Sequence, residues 1–344
     1  MRIATYNVEW FNNLFDDKGR MLEDDEPSAR YGVSRRDQLA ALGIVFTALD
    51  ADAVMVIEAP DSNRRRDTVG MLETFARACG LRARRALIGF SNHTQQEIAL
   101  LYDPDRISAD HDPKGPAPGH GDEAHAPRFD GQFRIDLNVD IAPETVTFSK
   151  PPLEIAATSA GGRVFRMVGV HVKSKAPIGA ESPDQASRIA IENRRKQLAQ
   201  CIWLRRRVEE HLAAGDSLIV LGDLNDGPGL DVYEKLFGRS GVEIVMGSDA
   251  PPDARLVDPH ARAAAAGRMT AGTPATARFW NNRTRSYVSA LLDYVMVSPD
   301  LAGLGPRWRI WHPFDDPVCY ATPELRDALL AASDHFPVSI DLPL

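Results

Sequence analysis

Apolar and polar positions in this chain switch repeatedly between a period of two and a helical period. Residues 2–8 alternate and predict a strand. Residues 35–49 place Leu39, Leu42, Val45, Phe46 and Leu49 on one helical face after Ser34, a fitting N-cap. Residues 53–57 form a short unbroken apolar run, the signature of a strand buried on both faces. Helical spacing returns over 68–79 and stops at Gly80, a residue suited to a left-handed helix end. Strands are predicted over 97–102 and 164–172, and a long helix from about Asp184 to His211 opens at Ser182-Pro183. Strand 218–221, helix 230–237, strand 292–297 and a last strand after Pro337 complete the series. Interleaved strands and helices without a linker or repeat predict one α/β domain over residues 1–344. Residues 107–129, rich in Gly, Pro, Asp and His, read as an exposed loop insertion.

Composition narrows the function classes. With 44% apolar and 26% charged residues, the 344-residue chain is neither disordered nor collagen-like. A formal net charge of −8 disfavours a protein that coats nucleic acid, while leaving room for a local basic groove. Cys79, Cys201 and Cys319 are odd in number and far apart, so neither a disulfide framework nor a zinc site is indicated. The start, MRIATYNVEWF, enters a strand pattern directly, and apolar runs stay far below the ~20 residues that span a bilayer. The chain as given therefore reads as cytoplasmic, with no stable membrane insertion and no obligate protein partner indicated. His111, His120 and His125 lie near Asp110, Asp112 and Asp122 in the 107–129 segment. No regular element fixes their spacing, and a solvated insertion outweighs a metal site there.

The informative residues stand where polar groups interrupt apolar strands. Asn7 ends the first strand and Glu58 the second, and His171 ends Val168-Gly169-Val170-His171. Asp223 and Asn225 follow Leu218-Ile219-Val220-Leu221-Gly222, Asp293 interrupts Leu291-Leu292-Asp293-Tyr294, and Asp334-His335 precede Phe336-Pro337. An unpaired buried carboxylate costs several kcal/mol, so each such acid calls for a partner. Ligand sites in α/β folds gather outside strand ends, which predicts that these residues converge. Oxygen donors without cysteine favour Mg²⁺ or Mn²⁺ over zinc.

Taken in order, Asn7, Glu58, His171, Gly222-Asp223-Leu224-Asn225, Asp293-Tyr294 and Ser333-Asp334-His335-Phe336-Pro337 resemble the endonuclease/exonuclease/phosphatase family. The resemblance runs over nearly the whole chain. It implies an α/β fold of four layers, an αββα sandwich of two packed mixed β-sheets flanked by helices, with the site at one end. It also implies a divalent-metal-dependent phosphoester hydrolase, foremost a nuclease-type phosphodiesterase working by in-line attack of water. Glu58 would be the principal Mg²⁺ or Mn²⁺ ligand, helped by Asn7, with Asp334 and Glu9 near a second position. Glu9 reads equally well as a solvated charge. Asp223 would orient or deprotonate water, Asn225 would donate to a phosphate oxygen, His335 would pair with Asp293, and His171 would contact phosphate or the leaving oxygen.

Departures from the family pattern bear on the substrate. Leu291 stands where relatives often carry Arg, and Lys150, in Phe148-Ser149-Lys150-Pro151, keeps the charge of an Arg motif without its fork. Pro60 and His171 replace the Lys and Tyr that abasic-site endonucleases favour at these places. Lys173 and Lys175 offer further phosphate contacts. Trp280 and Asn281, in Arg278-Phe279-Trp280-Asn281-Asn282, are candidate substrate contacts, with Trp280 either stacking on a base or sugar or lying in the core. Arg64-Arg65-Arg66 either overhangs the mouth or is a solvated charge run, and Arg205-Arg206-Arg207 reads as a solvated helix face. The phosphoester substrate is then a nucleic acid, or alternatively a sugar, inositol or lipid phosphate; a binding module that has lost catalysis is the remote alternative.

Overall fold

The computed structural model describes every residue except 93, 95, 119–124, 136–143, 230–236, 268–273 and 282–284. Fifteen strands are described: β1 Arg2–Asn7, β2 Ala53–Ala59, β3 Arg85–Ile88, β4 Glu97–Tyr102, β5 Ile107–His111, β6 Phe133–Ile135, β7 Glu144–Val146, β8 Leu153–Ser159, β9 Val164–His171, β10 Leu218–Asp223, β11 Ala277–Asn281, β12 Ser286–Ala290, β13 Asp293–Val297, β14 Arg307–Ile310 and β15 Val338–Asp341. The described α-helices are α1 Arg35–Leu49, α2 Thr68–Ala78, α3 Pro183–Ala213, α4 Gly241–Met246, α5 Pro259–Ala265, α6 Pro299–Ala302, α7 Pro317–Ala321 and α8 Pro323–Ala332. The predicted helix at 230–237 falls, but for Phe237, outside the described residues, as do His120, Asp122 and Asn282.

Two mixed sheets carry the architecture. One has the order β14-β15-β1-β2-β4-β3 and the other β13-β10-β9-β8-β5, each with a single parallel pair, β1–β2 and β9–β10. Their facing surfaces meet through Ile3, Met55, Ile57, Leu100, Phe165, Met167, Ile219, Leu221, Val295 and Val297. The opposite face of the first sheet buries Tyr6, Val54 and Val56 against α1, α2 and α8. That of the second buries Val168, Val170 and Val220 against α3, α4 and α5. Both faces of the central strands are covered, hence their near-continuous apolar runs. The result is the α/β sandwich with helices outside.

Alternation along these strands determines where the polar residues fall. Asn7 follows Ile3 and Thr5, His171 follows Met167 and Gly169, Asp223 follows Ile219 and Leu221, and Asp293 precedes Val295. Asn7, His171 and Asp223 occupy the last inward position of their strands and Asp293 the first of its antiparallel strand, all where the apolar layer between the sheets ends. Parallel register sets Asp223 beside His171, and antiparallel register sets it beside Asp293.

Two sequence readings change here. Residues 107–111 are a sheet strand, β5, with Ile107 and Ala109 buried, so the irregular segment starts later than 107. Its far end is anchored: Ala126 and Phe129 pack against α3. Of Arg205-Arg206-Arg207, read as a solvated face, only Arg206 is exposed. Arg207 is buried between Glu154, at 3.0 Å, and the carbonyls of Lys114, Ala126 and Pro127, while Arg205 donates to the Ala254 carbonyl. Burying the Arg207 guanidinium here ties α3 to the described residues Lys114, Ala126 and Pro127.

Candidate active site

Glu58 reaches the site through a backbone irregularity. Strict alternation would send it to the helix side, with Val54 and Val56. A register shift between Ile57 and Ala59, with Glu58 at φ 61°, re-aims it instead. Burial pushes the Glu58 carboxyl up, partly offset by the Lys150 ammonium. Gln96, just before β4, donates to Glu58 and accepts from Lys150.

Asn7 donates to Asp223 Oδ2 at 3.0 Å, and its own Oδ1 is buried without a hydrogen-bond partner. Asp223 also accepts from the Asn225 backbone at 2.7 Å and from its amide at 3.2 Å. Asn225 sits at φ 50°, a conformation Asn tolerates, and its amide also holds the Val172 carbonyl. Ahead of Asp223, Gly222 is obligatory: at its φ of 137° a Cβ would lie 2.1 Å from the Val170 oxygen. Burial, then the neighbouring Asp293, pushes Asp223 up to about 7.

The two histidines differ in charge. His335 Nδ1 lies 2.7 Å from Asp293 Oδ2. Burial opposes an imidazolium there, but the Asp293 carboxylate overrides it and holds His335 well above its ordinary value. Asp293 Oδ1 is buried without a partner. At His171, Nδ1 faces the Lys150 ammonium at 3.1 Å, while Nε2 lies 3.7 Å from Asp223 and 3.9 Å from Glu58. Burial and the Lys150 charge hold His171 well below its ordinary value, so it is neutral. An ammonium only donates, so Nδ1 accepts and Nε2 carries the proton.

Backbone clamps join these elements. Ser333 Oγ donates to the Asn7 carbonyl at 2.8 Å and accepts from the backbones of Glu9 and His335. Thr276 Oγ1 accepts from Leu292 and Asp293, and Phe336 and Arg278 backbone amides tie the segment Asp334–Phe336 to the base of the β11–β12 hairpin. Gln197 and Gln200, on α3, hold the backbone of Lys173, and Gln197 also takes the Asn225 carbonyl.

A model of the endonuclease/exonuclease/phosphatase family matches residues 4–335. The chain belongs to this family. Its members hydrolyse phosphoester bonds, and the chain is a phosphoesterase of the family. No curated protein matches it at a significant level. Among solved structures, an AP endonuclease from Archaeoglobus fulgidus shares the fold at TM-score 0.50 and 14% identity, with all of both chains covered. TDP2 from Caenorhabditis elegans does so at TM-score 0.50 and 14% identity, over 99% of this chain and 74% of that one. A mannosyl-6-phosphatase from Bacteroides thetaiotaomicron aligns at TM-score 0.48 and 15% identity over the whole of both chains. Among the described residues, no helix is long and apolar enough to cross a membrane.

The structure gathers Asn7, Glu58, Lys150, His171, Asp223, Asn225, Asp293, Asp334 and His335 at one end of the sandwich. Glu9 stands at the edge of this group with both oxygens engaged, one by Trp10 Nε1 at 2.9 Å and the other by Arg30. Burial, then Asp334, pushes it up to about 7. Trp280 is exposed, not core, and meets Tyr287 edge-on on the β11–β12 hairpin beside Asn281. Lys175 is taken up by the buried Asp226 at 2.5 Å, and Arg66 by Asp61 and Asn12, so these cations secure loops. Gln96 escaped the sequence reading for a topological reason. Strand β4 runs antiparallel to β2, so its beginning, not its end, reaches the site.

Proposed function

We propose that the chain is a divalent-metal-dependent phosphodiesterase of nuclease type, using Mg²⁺ or Mn²⁺. The observation that carries this is the meeting, at one end of the sandwich, of Glu58 and Asn7 with Asp223 and the Asp293–His335 pair. The donor set fits a hard cation. Asn7 Oδ1 is buried without a partner beside Glu58, whose charge burial penalises. Glu58 and Asn7 would hold the ion, with Asp334 and Glu9 near a second position, Glu9 exchanging its present hold on Trp10 or Arg30. A bound divalent ion would supply charge neutralisation at the phosphoryl oxygens.

The chain's own residues do the rest. Asp223, held by Asn7 and Asn225 and raised to about 7, takes a proton from the attacking water. The His335 imidazolium, fixed by Asp293, stabilises charge developing on the phosphorus-bound oxygens. Neutral His171 donates from Nε2 to phosphate or the leaving oxygen, its tautomer set by Lys150. Lys150 and Lys173 add positive charge beside the phosphate, Asn225 turns part of its amide to it, and Trp280 with Asn281 supports the flanking substrate. The test is hydrolysis of bis-p-nitrophenyl phosphate and plasmid DNA with and without chelator. Chelator-sensitive cleavage of both is expected. Preference for monoesters over any diester would overturn the diesterase reading and favour the phosphatase alternative.

A further inference from the structure

A cleft of about 890 Å³ opens directly from the catalytic group, with Asn225, Asp334 and His335 at its floor. One wall is a single face of α3, where Pro183, Ala186, Ser187 and Ala190 recur at helical spacing. The opposite wall is the hairpin, where Val288, Ala290 and Leu292 alternate toward the cleft and Phe279 pairs with Val288. Two cations stand among the described lining residues, Lys175 and Arg194, and both turn to the buried Asp226, at 2.5 and 2.7 Å. Among the described residues the walls are thus largely small and apolar, and the positive charge they contain is already matched. The volume is that of a small-molecule site. A groove built to track a phosphate backbone would direct its cations into the open space.

Resting on the diesterase reading above, we infer that this cleft receives an uncharged apolar substituent of the ester, an aryl or compact aliphatic group, while the phosphate lies at His335. The small residues of α3 leave the room, Phe279 and Val288 supply the surface, and the floor joins the cleft to the reacting phosphorus without an intervening wall. At this wall the enzyme then favours a diester that carries an apolar group beside the phosphate.

The experiment measures inhibition of bis-p-nitrophenyl phosphate turnover by diphenyl phosphate and by dimethyl phosphate, with the Mg²⁺-loaded full chain. Burying one phenyl ring should tighten binding by roughly 30-fold, so diphenyl phosphate is expected to inhibit at a correspondingly lower concentration. Ala190→Trp fills the cleft from α3, and Val288→Asp charges the opposite wall. Either should raise the inhibition constant of diphenyl phosphate toward that of dimethyl phosphate and leave the latter unchanged. Equal inhibition by the two diesters in the wild-type protein overturns the inference, as does a preference that survives both substitutions. Absence of any diester turnover would instead defeat the diesterase reading itself, so the two failures are distinguishable.

Discussion

Asp293→Asn isolates the charge behind His335 while keeping its shape. The wild-type carboxylate accepts from His335 Nδ1 at 2.7 Å, and both residues are buried. An Asn at this position still offers an oxygen to the ring, and its backbone amide still donates to Thr276 Oγ1 at 2.9 Å, so the loop keeps its anchor. The lost term is the ion pair. For charge centres about 4 Å apart at an effective dielectric near 20, it amounts to about 4 kcal/mol. Without it, burial acts on the imidazole against only the weaker pulls of Asp223 and Asp334, and moves it toward the neutral form. Removing a charged stabiliser of this kind should lower kcat by about 10²–10⁴-fold, with a much smaller change in KM. Steady-state kinetics on bis-p-nitrophenyl phosphate at saturating Mg²⁺ measures it, alongside His335→Ala and the double variant. The pair should behave as one unit, the double variant being little worse than His335→Ala alone. Turnover within a few-fold of wild type in Asp293→Asn, or fully multiplicative losses in the double variant, would refute the pairing as the source of the effect.

Other consequences follow from the same geometry. His335→Ala should lose at least as much turnover as His171→Ala, since the first removes an imidazolium and the second a neutral donor; parallel kcat values on one diester decide this. Gln96→Ala frees both Glu58 and Lys150, and should raise the Mg²⁺ concentration needed for half-maximal rate by about tenfold, as supporting residues behind metal ligands do. Away from the site, burial pushes Glu154 up to about 7 even beside Arg207. Its folded value lies above the unfolded one, so the native state binds this proton more tightly, and stability from this group falls as pH rises between the two values. The cost, about 3 kcal/mol, is fully present above neutrality. Urea unfolding at about pH 5 and pH 8 should show the wild type losing more stability across that interval than Glu154→Gln; equal losses would contradict it.

The polar strand ends were legible because the sandwich is built by alternation. Asn7, His171, Asp223 and Asp293 each fall on the inward phase of their strand, so the sequence pattern and the converging geometry express the same periodicity. Glu58 obeys a different rule. Its place depends on the irregularity between Ile57 and Ala59, which no periodicity announces. Short or edge strands such as β3, β5 and β14 carry too few alternating positions to stand out from loops. The role of Arg205 and Arg207 was hidden for another reason: charge in a helix reads as solvated until the chain that covers it is placed, and the covering carbonyls come from Lys114, Ala126 and Pro127 for Arg207 and from Ala254 for Arg205. Partners distant in sequence, among them Gln96 for Glu58, Lys150 for His171 and Ser333 for the Asn7 carbonyl, are set by the stacking of sheets and lie beyond local pattern.

The most direct test of the metal-assisted diesterase is a titration of metal-stripped protein with Mn²⁺. Bound ion is followed by electron paramagnetic resonance and hydrolysis of bis-p-nitrophenyl phosphate is followed in the same samples, for the wild type and Glu58→Gln. Activity is expected to appear only as the ion binds, and Glu58→Gln should lose both together, each by at least about tenfold. Full-rate hydrolysis by the stripped wild-type protein, or unimpaired ion binding and turnover in Glu58→Gln, would contradict it.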